Sequence, residues 1–305
     1  FHPYSSGLSV YALRIARGLV ALGHEVCVLT SQYDRNLSPE ENLDGVRIVR
    51  VKAAMKLSKG VILPGLRAKA KTWVKWADLV NVHMPQFEAF VFAGLAKQFK
   101  KPMVVTYHCD LVMSGGWFSQ LAGWGTNLLG KRTLKQANVI VQNTLDYARH
   151  SKVLMPFLYK VVEVPTPVLV LDSSQADVKV FRERFGLAES DKVLGLAGRV
   201  ASEKGYEYLA QALPLVWEKF PTARVVHAGS WKGVIGEEVY LAKVEEMIRP
   251  FVIKWKSLGF LSDEDFMHFF AACDLLVFSS LNATESFGIV QIEALSQGTP
   301  IVASD

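Results

Sequence analysis

Residues 284–298 read TESFGIVQIEALSQG, with Glu285 and Glu293 on either side of Phe287, Gly288, Ile289 and Val290. Gly288 has no side chain to keep a ligand off the backbone. A helix over 286–297 would aim its first N–H groups at that ligand. Glu293, about two turns into such a helix, would lie near the same face as Glu285 and Gln297. A carboxylate there can accept two hydrogen bonds from a vicinal diol such as a ribose. The plainer alternative is a surface helix with one glutamate near its positive end. That accounts for Glu285 but poorly for Glu293, whose neighbours Val290, Ile292, Ala294 and Leu295 are apolar. Burying a carboxylate is costly unless something pairs with it.

Two other places carry unusual residues. GRVASEKG (198–205) puts Arg199 just past an apolar run and Lys204 at the start of the next helix. A guanidinium, an ammonium and a helix N-terminus together suit a diphosphate. The competing reading is a wet basic loop in which Glu203 neutralises Lys204. Near the N-terminus, Ser5-Ser6-Gly7 leads into a helix, and Thr106-Tyr107-His108-Cys109-Asp110 follows a strand. The small-residue loop again suits a phosphate, but it lacks the G-x-G-x-x-G spacing of dinucleotide oxidoreductases. His108 stands at a strand's carboxyl end, where it can touch a substrate, although a lone histidine more often serves its own fold. His83, after another strand, reads as structural.

The elements around these residues repeat as strand, loop and helix. A helix is expected over 9–22, closed by Gly23. Apolar strands are expected at 26–30, 46–51, 79–83, 103–107 and 139–142. VPTPVLVLDSSQAD (164–177) breaks the rhythm as a linker. The alternation resumes with strands at 193–198, 224–228 and 275–279 and helices near 206–220, 237–248 and 263–272. Continuous apolar strands mean burial on both faces and parallel sheets between helices. The fold class is α/β: two doubly wound Rossmann-like domains facing a cleft, over residues 1–164 and 178–305, joined by a linker over 165–177. The chain opens on Phe1 and stops at Asp305 just after a strand-like PIVAS, so it is expected to be truncated at both ends.

Composition narrows the class. In 305 residues half are apolar and 21% charged, which describes a globular protein long enough for two domains. Cys27, Cys109 and Cys273 are too few and too far apart for a disulfide framework. No spacing of cysteines or histidines suggests a metal site. A net charge of +5 favours phosphate-bearing partners or an anionic membrane surface without deciding between them.

In order, Gly7, His108, Gly198-Arg199, Lys204-Gly205 and the block ESFGIVQIEA resemble the retaining GT-B glycosyltransferases of family four. The resemblance covers nearly the whole chain. The two C-terminal blocks are specific, and FHPYSSG and GHEVCVLT match in outline. It implies transfer of a hexosyl group from a nucleoside-diphosphate sugar, with UDP or GDP as carrier, to a hydroxyl of a lipid or glycan, with retention of configuration. Glu285 would hold the donor sugar's hydroxyls, and the backbone of residues 287–290 would lie along sugar and phosphate. Glu293 would take the ribose diol. Arg199 and Lys204 would neutralise the departing diphosphate, Gly7 would let the first helix reach the same phosphates, and His108 would sit beside the sugar's reacting end. The resemblance implies no divalent metal and no cofactor. Two positions depart from the family pattern: Ser6-Gly7 replaces a glycine pair, and Pro165-Thr166-Pro167 replaces P-N-G.

The acceptor is the least defined part. Residues 66–77 (LRAKAKTWVKWA) combine four basic residues with two tryptophans, and Trp117, Phe118 and Trp124 precede Lys131-Arg132. Basic and interfacial aromatic residues can dock on an anionic membrane, or the helix simply covers a sheet and shows a wet basic face. The expected location is cytoplasmic, with peripheral attachment at the inner face of the membrane. Two other classes compete: a catalytically silent nucleotide-sugar binder of the same fold, and a nucleic-acid binder. Only residues 66–77 offer the basic, aromatic stretch the latter needs, so nucleic acid is not expected as a partner.

Overall fold

The apolar runs form parallel strands flanked by helices, as burial on both faces requires. The computed structural model describes the chain apart from residues 5, 58–59, 112–116, 235, 282–286 and 305, and apart from the side chains of residues 56, 57, 60 and 117–124. The chain divides into two compact units, Phe1–Pro167 and Val168–Asp305.

Unit 1 runs α1 (Gly7–Ala21), β1 (Cys27–Gln32), β2 (Glu40–Leu43), β3 (Val46–Lys52), β4 (Met55–Leu57), β5 (Gly60–Ile62), α2 (Leu66–Trp76), β6 (Val80–Met84), α3 (Ala89–Gln98), β7 (Met103–Tyr107), α4 (Trp117–Gln136), β8 (Val139–Gln142), α5 (Leu145–His150) and β9 (Val161–Glu163). Strands β6, β7, β8 and β9 form one all-parallel sheet in that order. A second sheet has the order β1-β3-β2, with β2 antiparallel at its edge. Val82, Val105, Leu134, Ile140 and Ala148 pack the main core beneath β6–β8. Helix α1 starts where it does because Ser6 and Ser9 form a reciprocal capping box.

Unit 2 runs α6 (Gln175–Arg184), β10 (Lys192–Ala197), α7 (Tyr206–Lys219), β11 (Ala223–Ala228), α8 (Glu238–Ile248), β12 (Trp255–Gly259), α9 (Asp263–Ala272), β13 (Leu275–Phe278), α10 (Ile289–Ser296) and β14 (Ile301–Ala303). Its five strands are all parallel in the order β12-β11-β10-β13-β14. The winding therefore reverses between β10 and β13. Phe181, Phe269, Phe270 and Ala294 from α6, α9 and α10 pack one core cluster, while Leu209, Leu213 and Val244 from α7 and α8 pack another.

Several elements differ from expectation. Helix α6 begins inside the expected linker, because Ser174 and Asp177 form a capping box at its start. The glycine-bearing stretch after residue 116 is the 20-residue helix α4. Strands β2, β4 and β5 were not expected, since EENL carries no apolar run. Among the described residues, no helix is long and apolar enough to cross a membrane.

Candidate functional site

In unit 2 the loops after β10 and β13 leave the sheet where its winding reverses, the usual ligand position in an open α/β sheet. After β10 come Gly198 and Arg199, then a 3-10 turn, Ser202–Lys204, and then Gly205 in the left-handed region at φ 61°. Lys204 therefore belongs to this turn rather than to the start of α7. A Cβ on Gly205 would lie 2.3 Å from the carbonyl oxygen of Ser279. Only a glycine lets the loop rest on the chain just past β13. The Lys204 ammonium lies 5.6 Å from the centre of the Phe278 ring. Gly288 lies against the same ring, since a Cβ there would approach it to 2.9 Å. Lys204 and Gly288 thus meet at Phe278, the last residue of β13.

Gly288 is left-handed (φ 69°, ψ 61°) and stands at the N-cap of α10. Phe287, Ile289 and Val290 are half-buried beside it. The helix begins at Ile289 rather than near residue 286, so Glu293 stands about one turn in, not two. Glu293 is 2% exposed, so its carboxylate sits in an apolar helix as the sequence suggested. Glu285 lies outside the described residues.

Arg199 is exposed and forms an ion pair of 2.5 Å with Glu203. Glu203 thus bonds Arg199 rather than acting chiefly on Lys204. Partial burial, the largest single influence, raises the Glu203 carboxyl, but the Arg199 guanidinium, a backbone N–H and the Lys204 ammonium together hold it below its ordinary value. The start of α7 is also less open than expected, because the Tyr206 N–H donates to the Tyr240 hydroxyl at 2.8 Å.

His227 is fully buried in β11 and was not singled out by sequence reasoning, since one histidine in an apolar strand carries no signal. Its Nε2 lies 2.7 Å from the Gly198 carbonyl and its Nδ1 3.0 Å from Ser257 Oγ. A carbonyl can only accept, so Nε2 donates and Nδ1 accepts from Ser257. Burial lowers its pKa to about 4, so the ring is neutral and pins the start of the Arg199 loop.

In unit 1, Gly7 is the first residue of α1, and a Cβ there would meet nothing within 4 Å. Tyr11, one turn further on, is buried and meets the ring of His108 edge-on at 4.9 Å and that of His83 at 6.0 Å. His83 lies in β6 and His108 just past β7. His83 Nδ1 and His108 Nε2 are 2.9 Å apart, and the His108 N–H donates to the Met84 carbonyl at 2.8 Å. Burial lowers His83 to about 4 and His108 to about 3, the latter with a smaller contribution from His83, so both rings are neutral. His83, read from the sequence as structural, is the hydrogen-bonding partner of His108. The loop beyond is anchored by Asp110, which accepts from Tyr107 (2.9 Å) and Ser151 (2.5 Å) and donates its N–H to Tyr147 (2.7 Å).

Helix α2 buries Leu66, Ala70 and Val74 and exposes Arg67, Lys71, Lys75 and Trp76. Trp73 packs under the Arg47 guanidinium at 4.7 Å. The side chains of Trp117, Phe118 and Trp124 lie outside the described set.

Two family models match. Residues 6–155 fit the glycosyl transferase 4-like domain and residues 177–305 the glycosyl transferases group 1 domain. The chain is 28% identical to an uncharacterized glycosyltransferase of Methanocaldococcus jannaschii, covering 98% of this chain and 76% of that protein. It is 25% identical to the phosphatidyl-myo-inositol mannosyltransferase of Mycolicibacterium smegmatis, covering 99% and 74%. HepE of Anabaena, solved in complex with UDP and glucose, superposes with a TM-score of 0.72 at 18% identity, covering 98% and 77%.

Proposed function

The chain belongs to the group 1 glycosyltransferases and has the GT-B fold, and from that premise we propose that it moves a hexosyl group from a nucleoside-diphosphate sugar to a hydroxyl of a lipid or glycan, with retention of configuration. The observation that carries this reading is the meeting of Lys204 and Gly288 at the Phe278 ring, where the winding of unit 2 reverses. An ammonium and a helix N-terminus near one ring suit a diphosphate whose charge grows as its bond to the sugar breaks. Arg199, shared with Glu203, contributes less. The backbone of residues 287–290 runs along sugar and phosphate, and Glu293 takes the ribose diol. Gly7 leaves room for a phosphate at the head of α1. His108, neutral, hydrogen-bonds a hydroxyl near the reacting carbon, and Glu285 holds the sugar's other hydroxyls. A donor of this class, UDP-glucose, occurs in another HepE complex.

The acceptor is read from unit 1. A groove of about 740 Å³ at the carboxyl ends of β1 and β3 is lined by Arg35, Arg50, Lys52 and Lys69 among others, with no carboxylate among its described lining residues, although Arg50 is paired with Glu41. Together with the exposed basic face of α2, it favours an anionic acceptor presented at a membrane surface. The mycobacterial relative is named for a phosphoinositide lipid. The protein would then work at the inner face of the membrane without spanning it. Incubation with UDP-glucose, GDP-mannose and ADP-glucose, with and without phosphatidylinositol vesicles, tests the whole reading. Glycolipid carrying the donor's anomeric configuration supports it; an inverted product removes retention, and no transfer from any donor removes the enzyme.

A further inference from the structure

His227 lies in β11, yet its ring acts on the loop after β10. Its Nε2 donates to the Gly198 carbonyl at 2.7 Å, and the Tyr206 hydroxyl donates to the same oxygen at 3.4 Å. A Cβ on Gly229 would lie 2.1 Å from that oxygen, so the carbonyl is pressed against the chain just past β11. Gly198 has φ 123°, a conformation open to glycine and strained for any side chain.

We infer that the backbone N–H of Arg199 is a further donor to the diphosphate, and that His227 is the positioning residue that aims it. The inference rests on the reading that the diphosphate sits beside Lys204. The peptide bond between Gly198 and Arg199 is planar and trans, so its N–H points opposite to its carbonyl. A carbonyl drawn toward β11 therefore sends the Arg199 N–H toward β13. The neighbouring amides agree: those of Gly198 and Val200 donate to the carbonyls of Ala228 and Ser230, each at 2.8 Å, on the β11 side. Strand alternation puts the N–H between them on the other side.

That other side is where a ligand fits. β10 pairs with β11 as far as Ala197 but with β13 only at Leu194 and Gly195, and the winding reverses between β10 and β13. A Cβ on Gly198 would lie 3.7 Å from Lys204 Cε, so the stem of the ammonium runs beside the same peptide. Among the described residues nothing accepts from the Arg199 N–H, whereas the Arg199 guanidinium is held by Glu203. The backbone of this residue is thus open to a ligand where its side chain is engaged. The His227 contact has one sense only: a carbonyl cannot donate, so Nε2 carries the proton and Nδ1 accepts from Ser257. A donor fixed in this way needs no reorganisation as charge grows on the departing diphosphate.

The test reads the amide itself. The full chain, isotope-labelled at its backbone nitrogens, is titrated with UDP and GDP and with uridine and guanosine, and Arg199 is followed by proton–nitrogen correlation. Its amide proton should move downfield with the preferred diphosphate and stay in place with the matching nucleoside. His227→Leu, which cannot donate, should weaken the diphosphate about tenfold and leave the nucleoside unchanged. His227→Gln, whose side-chain amide can donate to the Gly198 carbonyl, should restore binding. An Arg199 amide that ignores the diphosphate overturns the inference and needs no variant to fold. So does wild-type diphosphate affinity in His227→Leu, or an equal loss for diphosphate and nucleoside. The two layers separate through Lys204→Ala: lost diphosphate binding in that variant beside an unmoved Arg199 amide in the wild type would remove this inference alone, and a wild-type chain that binds neither diphosphate would remove both.

Discussion

The hydroxyl of Ser279, just past β13, donates a hydrogen bond of 2.9 Å to the backbone carbonyl of Lys204, just past β10. The two loops that border the winding reversal of unit 2 are therefore fastened to each other, and Gly205 rests on the carbonyl of the same Ser279. The backbone of Lys204 is held by Ser279, and its ammonium lies over the Phe278 ring.

Gly205→Ala should be among the most disruptive small substitutions in unit 2. Its methyl would enter the Ser279 carbonyl at 2.3 Å from a left-handed backbone. A loss of about 2 kcal/mol or more is expected, read as a lower midpoint in urea unfolding. Ser279→Ala should cost about 1 kcal/mol, with nucleotide affinity falling as the loop loosens. Wild-type midpoints in both variants would contradict the fastening.

Lys204 and Arg199 should not be equivalent. Lys204→Ala is expected to cost more than about 2 kcal/mol in kcat/KM. Arg199→Ala should cost less, because its guanidinium is already paired with Glu203. Releasing that guanidinium with Glu203→Gln should tighten diphosphate binding. Isothermal titration with the preferred nucleoside diphosphate gives the order, and an Arg199 effect larger than that of Lys204 would reverse the assignment.

Gly7→Ala separates the needs of the fold from those of a ligand. A Cβ there touches no protein atom, and alanine is the better helix residue, so unit 1 should be unchanged or stabilised by up to about 1 kcal/mol. Donor affinity should nonetheless fall about tenfold if phosphate packs against this residue. Unchanged donor affinity would remove Gly7 from the site.

The parallel strands were legible because burial on both faces writes itself as unbroken apolar runs, VLGLAG and MVVTY among them. The starts of α6 and α10 were not. In α6 a serine–aspartate capping box looked like a polar linker, and in α10 the left-handed Gly288 delays the helix beyond the residue where apolar periodicity begins. The place of Arg199, Lys204 and Gly205 just past β10 could be read from their spacing after an apolar strand. His227 and His83 could not, because their roles depend on a carbonyl and a second ring supplied by distant segments. The Arg199–Glu203 pair was equally hidden, since Glu203 stands next to both cations in sequence and only geometry selects one.

His227 should make unit 2 sensitive to acid. Its folded pKa of about 4 lies below the ordinary 6.5. Between those values the unfolded chain binds a proton that the folded chain refuses. Stability from this group is therefore complete above pH 6.5 and falls as the pH drops toward 4. At about pH 5 the loss is about 2 kcal/mol. In His227→Gln that part of the pH dependence should vanish; parallel stability profiles for wild type and variant would contradict the buried neutral ring.

The central claim is that Lys204 grips a diphosphate while the buried Glu293 grips a ribose. Calorimetric titration of wild type, Lys204→Ala and Glu293→Gln with uridine and guanosine diphosphates and with the corresponding free nucleosides tests it most directly. Lys204→Ala should weaken the preferred diphosphate by about thirtyfold and leave the nucleoside untouched, whereas Glu293→Gln should weaken both. Wild-type diphosphate affinity in Lys204→Ala would contradict the account.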